Sequence, residues 1–209
     1  MRLKHIKGAE EEIKLSPYLI TEPEKYKGNY KKIFKNDNPI HIEIGMGKGN
    51  FIIEMAKGNP NINFIGIEMY DSVLLRAVQK LTNEKINNLK LIRYDATNIE
   101  NIFAKEISTI YLNFSDPWPK NRHEHRRLTS DIFLKRYANI FKKDNIIIQK
   151  TDNRKLFEYS IMSFVNYGYK IEDISLDLHN IKDNSIIMTE YEEKFVSKGY
   201  PIYMIKVKK

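Results

Sequence analysis

From Pro39 onward, short apolar runs alternate with amphipathic stretches at helical spacing. Apolar runs bounded by turn residues read as buried strands, and apolar residues recurring every three to four positions read as helices packed on them. The runs predict strands at Ile40–Ile44, Asn63–Ile67, Leu89–Tyr94, Ile107–Phe114 and Asn145–Lys150. The helical patterns between them cover Asn50–Lys57, Ser72–Lys85, Thr129–Phe141 and Asn153–Asn166. This alternation argues for an α/β fold with a largely parallel sheet covered on both faces. The end of the chain departs from it. Tyr169–Leu178 and Pro201–Val207 read as strands flanking a helical insert at Glu190–Ser197. The 22 residues between them include a loop at Asn180–Ser185, which leaves too little chain for a parallel crossover, so an antiparallel pair is expected. Residues 1–36 are polar and mixed, broken at Ser16-Pro17 and Glu22-Pro23, with a short helix predicted at Glu24–Phe34. They read as an N-terminal extension to a single domain spanning residues 37–209.

Composition narrows the function. A chain of 209 residues buries about 70% of its unfolded surface, so the core needs neither disulfides nor a structural metal. The absence of cysteine excludes thiolate metal sites and cysteine nucleophiles, and with them pyrimidine C5 methylation through a cysteine adduct. No apolar run approaches the roughly 20 residues that span a bilayer, and the N-terminus is polar, so a cytoplasmic protein without membrane contact is expected. Both a monomer and a homodimer are compatible with the sequence. The formal net charge is +8. Much of it is local: Lys120 to Lys143 holds eight basic residues and two acidic ones, a clustering that favours a polyanionic partner.

The candidate chemistry sits where the predicted strands end. Glu43-Ile44-Gly45-Met46-Gly47-Lys48-Gly49 closes the first strand, and glycines there permit positive φ and close approach of a ligand to the backbone. Asn50 occupies the third small position of a dinucleotide fingerprint, and the acid at Glu43 suits a cationic amine better than a pyrophosphate. Alone, the motif is equally a tight strand-to-helix turn. Glu68 ends the second strand, placed to accept hydrogen bonds from ribose hydroxyls or to cap a helix. Asp95 ends the third, facing an adenine amine or capping a local turn. Together the three acids outline an adenosine-plus-amine ligand without phosphates, which describes S-adenosylmethionine.

The fourth strand runs into Asn113-Phe114-Ser115-Asp116-Pro117-Trp118-Pro119-Lys120. A residue before proline is pushed out of the helical region, so Asp116 and Trp118 are both expected to be extended. Trp118 either stacks on a base or wedges the loop against the core. Arg122, His123, His125, Arg126 and Arg127 follow directly. His123 and His125 lack a third ligand, so no metal site is expected. Thr189-Glu190-Tyr191-Glu192 has the form of a capping box, and Asp152 reads as a cap for the helix from Asn153.

These motifs, with Lys150-Thr151-Asp152-Asn153 and Gly199-Tyr200-Pro201-Ile202-Tyr203, strongly resemble those of the bacterial tRNA (guanine-N7-)-methyltransferases. The resemblance runs from about Pro39 to the C-terminus and is most specific at Ser115–Lys120 and Thr189–Glu192. It implies a class I, Rossmann-like methyltransferase fold, a mixed seven-stranded sheet with helices on both faces and an antiparallel last strand. It implies S-adenosylmethionine as cofactor, bound at Glu43, Gly45, Gly47, Glu68, Asp95 and Asp116, with Asp116 also catalytic. It further implies tRNA as partner. Substrate binding falls to Lys120, Asp152, Thr189, Glu190, Tyr191 and Glu192, and RNA contact to Arg122, His123, Arg126 and Arg127. His125 stands where the family usually has lysine, a departure expected to cost one phosphate contact without touching the methyl-transfer site. The target implied is guanine 46 of the variable loop. Three rivals stand against this reading: transfer to an exocyclic amine, disfavoured by the lack of a tyrosine after Asp116-Pro117; a nicotinamide dehydrogenase, disfavoured by Asn50; and a non-catalytic RNA-binding module, disfavoured by the acids at successive strand ends.

Overall fold

Seven strands form one sheet in the order β3-β2-β1-β4-β5-β7-β6. They are β1 (Ile40–Ile44), β2 (Asn63–Glu68), β3 (Leu89–Arg93), β4 (Ile107–Asn113), β5 (Phe141–Thr151), β6 (Lys170–Ser175) and β7 (Tyr203–Lys208). This computed structural model describes residues 6, 8–180 and 186–209, so the expected loop at Asn180–Ser185 lies almost wholly outside the described residues. The first five strands run parallel, with Ile42 opposite Ile65 on one side and Ile110 on the other. β7 runs antiparallel to both β5 and β6, as the short carboxyl-terminal connection requires.

The helices are α1 (Ala9–Lys14), α2 (Lys31–Phe34), α3 (Asn50–Gly58), α4 (Asp71–Lys80), α5 (Asp131–Ile140), α6 (Arg154–Asn166) and α7 (Glu190–Val196). Apolar residues fill both faces of the sheet. Phe51 and Ile52 of α3 and Leu74 and Val78 of α4 pack on one side, beside Phe64, Leu89 and Leu91. Phe133 and Tyr137 of α5 and Phe157 and Phe164 of α6 pack on the other, against Ile42, Ile65 and Ile110. Burial on both faces explains the apolar runs Phe64-Ile65-Gly66-Ile67 in β2 and Ile110-Tyr111-Leu112 in β4.

Several boundaries differ from the sequence reading. The helix expected at Glu24–Phe34 is two pieces, a 3-10 turn at Pro23–Tyr26 and α2. Gly28, at φ +75°, breaks the run between them. α4 stops at Lys80 rather than Lys85. Phe141 leaves α5 and opens β5, where it pairs with Ile107 before a register shift. The extension also does more than precede the domain. Ile20 N donates to Leu91 O at 2.9 Å and Leu91 N to Tyr18 O at 2.9 Å, covering the outer edge of β3, a position that would otherwise present unpaired backbone. Tyr30 is fully buried in the core.

The strand order reverses between β1 and β4. In open α/β sheets that switch point opens a crevice at the strands' carboxyl ends, where ligands bind.

Candidate active site

A cavity of about 760 Å³ lies at this end of the sheet, lined by Gly45, Glu68, Asp95, Phe114, Asp116 and Trp118 among others. The turn after β1 is shaped by three glycines with positive φ, Gly45 at +75°, Gly47 at +58° and Gly49 at +79°. Gly49 cannot gain a side chain, since a Cβ there would stand 2.9 Å from Ala77 Cβ. At Gly66 of β2 a Cβ would overlap Met46 Sδ, so the Met46 side chain packs directly on that strand.

The acids differ in depth. Glu43 is 1% exposed and is not among the lining residues. Its Oε1 accepts from Asn113 Nδ2 at 2.8 Å, and burial pushes its carboxyl up to about 8. Glu43 Oε2 and Asn113 Oδ1 are buried with no hydrogen-bond partner among the described residues. Glu68 takes three backbone N–H donors, Gly47 at 3.1 Å, Met69 at 2.9 Å and Tyr70 at 3.1 Å. Burial nevertheless raises its carboxyl above the usual range, those three donors opposing the shift and the charge of Asp116 adding to it. Asp95 accepts from Thr97 N at 2.8 Å, so it does cap the turn that follows, and it lines the cavity as well.

Asp116 is exposed, on a loop with two strained residues. Phe114 has φ +51° and Trp118 φ +41°. Each left-handed aromatic costs of order 1–3 kcal/mol and persists only where its surroundings over-determine it. The extended backbone expected for Trp118 is therefore not found. Its carbonyl accepts from Arg127 Nη2 at 3.1 Å and that of Pro117 from Arg127 Nε at 3.1 Å, which fixes the turn in this shape. Trp118 stacks under Arg126, whose guanidinium lies 4.9 Å from its ring, and meets His123 edge-on at 5.8 Å.

The cationic run divides. Arg122 and Arg126 are exposed, whereas Arg127 is turned inward and buried. His125 and Arg126 both line the cavity. His125, the departure expected to leave methyl transfer untouched, lines this cavity because a 3-10 turn at Asn121–Arg126 folds the run back over it. Lys120 is exposed and outside the lining.

The later blocks meet beside it. Thr189 caps α7 in a complete capping box with Glu192. Glu192 is fully buried and accepts from Lys150 Nζ at 3.1 and 3.2 Å and from His179 Nε2 at 2.8 Å. It ties α7 to the end of β5. Glu190 pairs with Lys48 at 2.8 Å and Lys80 at 2.5 Å, joining α7 to the glycine turn. Tyr191 donates to Asp152 Oδ2 at 3.2 Å and packs on the ring of Phe114 at 5.0 Å. Asp152 does not cap α6; Asn153 does, accepting from Leu156 N at 2.9 Å, because the helix starts one residue later than expected. Asn113 and Lys150 were given no role by the sequence, and Arg127, expected at the RNA, turns its guanidinium inward to the Pro117 and Trp118 carbonyls. An asparagine closing an apolar strand was the available signal for the first. Among the described residues no cluster of three or more metal-ligating side chains occurs, and no helix is long and apolar enough to cross a membrane.

A family model described as "Putative methyltransferase" matches residues 37–205. The tRNA (guanine-N(7)-)-methyltransferase of Bacillus cytotoxicus is 52% identical over 100% of this chain and 97% of its own. That of Bacillus subtilis is 50% identical over 99% and 98%. The chain belongs to the tRNA (guanine-N(7)-)-methyltransferase family. Solved methyltransferases share the fold at low identity. An antibiotic-related methyltransferase superposes with TM-score 0.66 at 19% identity, over 87% of this chain and 92% of its own. A point variant of the 16S rRNA (adenine(1408)-N(1))-methyltransferase of Catenulisporales acidiphilia, solved with cosubstrate SAM, gives 0.64 at 10%, over 90% and 92%. Membership of this family matches the fold the strand order already displays: a class I methyltransferase sheet with β7 antiparallel.

Proposed function

We propose that this methyltransferase moves the methyl group of S-adenosylmethionine to N7 of a tRNA guanine, at position 46 of the variable loop, in the cytoplasm. The observation that carries the proposal is the placing of Asp116 on the same cavity that Gly45, Glu68 and Asp95 line. The donor set fits the cofactor. Glu68 is held by three backbone N–H groups with acceptor capacity left for ribose hydroxyls. Asp95 keeps a second oxygen for an adenine amine. The unpartnered oxygens of Glu43 and Asn113 at the ends of β1 and β4 suit an ammonium, whose charge favours ionisation of the Glu43 carboxyl that burial otherwise keeps protonated.

When bound, S-adenosylmethionine supplies an electrophilic sulfonium methyl. Guanine N7 has a lone pair and no proton, so no residue need act as general base. The chain's task is alignment, an effect that supplies about 7–11 kcal/mol where geometry is fixed in advance. Asp116 then faces a base that becomes cationic, and its carboxylate stabilises charge that grows in the transition state or orients the guanine through its N1 and N2 hydrogens. Lys120, Asp152 and Tyr191 hold the substrate side, with Tyr191 fixed by Asp152 and Phe114. Arg122, His123 and Arg126 lie on the rim for the phosphates, contacts that make binding salt-dependent.

The test is incubation with labelled S-adenosylmethionine and unmodified tRNA, followed by digestion and mass spectrometry of the nucleosides. 7-Methylguanosine is expected, lost in Asp116→Ala with the circular dichroism unchanged. Label on an exocyclic amine, or near-normal turnover in that variant, overturns the assignment.

A further inference from the structure

Two adjacent arginines, Arg126 and Arg127, look interchangeable in the sequence and point in opposite directions. Arg126 is exposed and covers the face of Trp118. Arg127 is 9% exposed and keeps its guanidinium inside the protein. Nε donates to Pro117 O and Nη2 to Trp118 O, each at 3.1 Å. The guanidinium lies 4.2 Å from the ring centre of Tyr159 on α6. The backbone of Arg127 is anchored too, its N–H donating to Glu124 O at 3.0 Å.

The two carbonyls belong to consecutive residues immediately after Asp116. One is that of Trp118, whose φ of +41° no aromatic residue adopts without support. A planar fork is suited to span two neighbouring carbonyls, which a lysine ammonium cannot do in the same way. With Nε and Nη2 on the loop carbonyls, its face on Tyr159 and 9% of it exposed, Arg127 presents little to a phosphate.

We propose that Arg127 is a positioning residue: it clamps the Asp116–Trp118 turn from behind and so fixes the carboxylate relative to the bound methyl donor. This deepens the reading under Proposed function and rests on it for the catalytic consequence. The clamp itself can be read without any turnover, because Trp118 is the chain's single tryptophan and its emission reports on the clamped turn alone.

The experiment compares Arg127→Ala, Arg127→Lys and Tyr159→Leu with Arg122→Ala in the full-length protein. It measures acrylamide quenching of Trp118, tRNA binding across a salt series, and kcat against KM for tRNA. Arg127→Ala is expected to raise quenching and to lower kcat by about 100-fold, the scale of an ångström misplacement near the chemistry. Its tRNA affinity and salt slope stay within about two-fold of the parent protein's. Arg127→Lys recovers part of kcat. Tyr159→Leu, which leaves the cation in place, moves quenching and kcat in the same direction as Arg127→Ala, and it decides the matter should Arg127→Ala fail to fold. Arg122→Ala does the reverse, weakening binding and flattening the salt slope by about one. The proposal is overturned if Arg127→Ala behaves like Arg122→Ala, or if Trp118 quenching is unchanged in both Arg127→Ala and Tyr159→Leu. Absence of methyl transfer by the parent protein would instead strike the proposed function, leaving the quenching result to judge the clamp.

Discussion

Glu43→Gln tests how the acid at the end of β1 is carried in the fold. Burial pushes its carboxyl from 4.5 up to about 8, against the opposing pull of the Asn113 amide and the Lys150 ammonium. A carboxyl raised in the folded state holds its proton more tightly there than in the unfolded chain. Its contribution to stability is therefore complete below the unfolded value and is lost as pH climbs towards about 8. The loss across that window is on the order of 5 kcal/mol, of which roughly 1–2 kcal/mol falls between pH 6.5 and 8. His41 has the opposite sign: burial depresses it from 6.5 to about 4, so its contribution is lost as pH falls through that range. The window above pH 6.5 thus separates the two. Glutamine keeps an Oε1 acceptor for Asn113 and places an amide where the protonated carboxyl has its hydroxyl. Urea titrations of both proteins from pH 6.5 to about 8.5 should show Glu43→Gln gaining on the parent by roughly 1–2 kcal/mol. Glu68, also raised by burial, is present in both proteins and cancels in the difference. Parallel profiles would refute the claim that Glu43 is protonated at neutral pH.

Two further substitutions probe the supports of the site. Gly66→Ala, with its Cβ overlapping Met46 Sδ, should cost about 1–3 kcal/mol by denaturant titration; a loss under about 0.5 kcal/mol would mean that the Met46 side chain swings clear of β2. Glu192→Gln leaves the Lys150 ammonium buried without its counter-charge and should cost about 3 kcal/mol, with Lys150→Met/Glu192→Leu recovering most of it. If the single variant is as stable as the parent, Glu192 is not the tie between α7 and β5.

The parallel strands were legible to within a residue or two at most ends, since burial on both faces leaves apolar runs such as Phe64-Ile65-Gly66-Ile67. The start of β5 was not, because Phe141 is apolar in either a helix or a strand and only its pairing with Ile107 decides. The helix expected at Glu24–Phe34 failed because Gly28 takes a positive φ, a backbone choice that helical spacing does not encode. In the site, residue identity was readable and direction was not. Nothing in the run from Arg122 to Arg127 says which guanidinium turns inward; that depends on two carbonyls freed by a strained turn. Likewise Glu192 reads as a capping-box acid, and its burial against Lys150 and His179 depends on a loop and a strand end distant in sequence.

The acids of the site grade from core to rim, Glu43 at 1% exposed and Glu68 at 7%, then Asp95 and Asp116 exposed. A carboxylate facing water stabilises a developing cation weakly, since at high dielectric two unit charges about 4 Å apart interact by only about 1 kcal/mol. In the proposed reaction, Asp116 gains catalytic weight only when the guanine covers it and excludes water. That ordering explains why the loop is strained and clamped rather than buried. A site that acquires its low dielectric from the substrate must have its geometry fixed beforehand, because docking a flat base onto a mobile turn would lose alignment to the ordering of that turn. The positive φ angles at Phe114 and Trp118 and the fork of Arg127 behind them are what such a requirement looks like in a loop open to solvent.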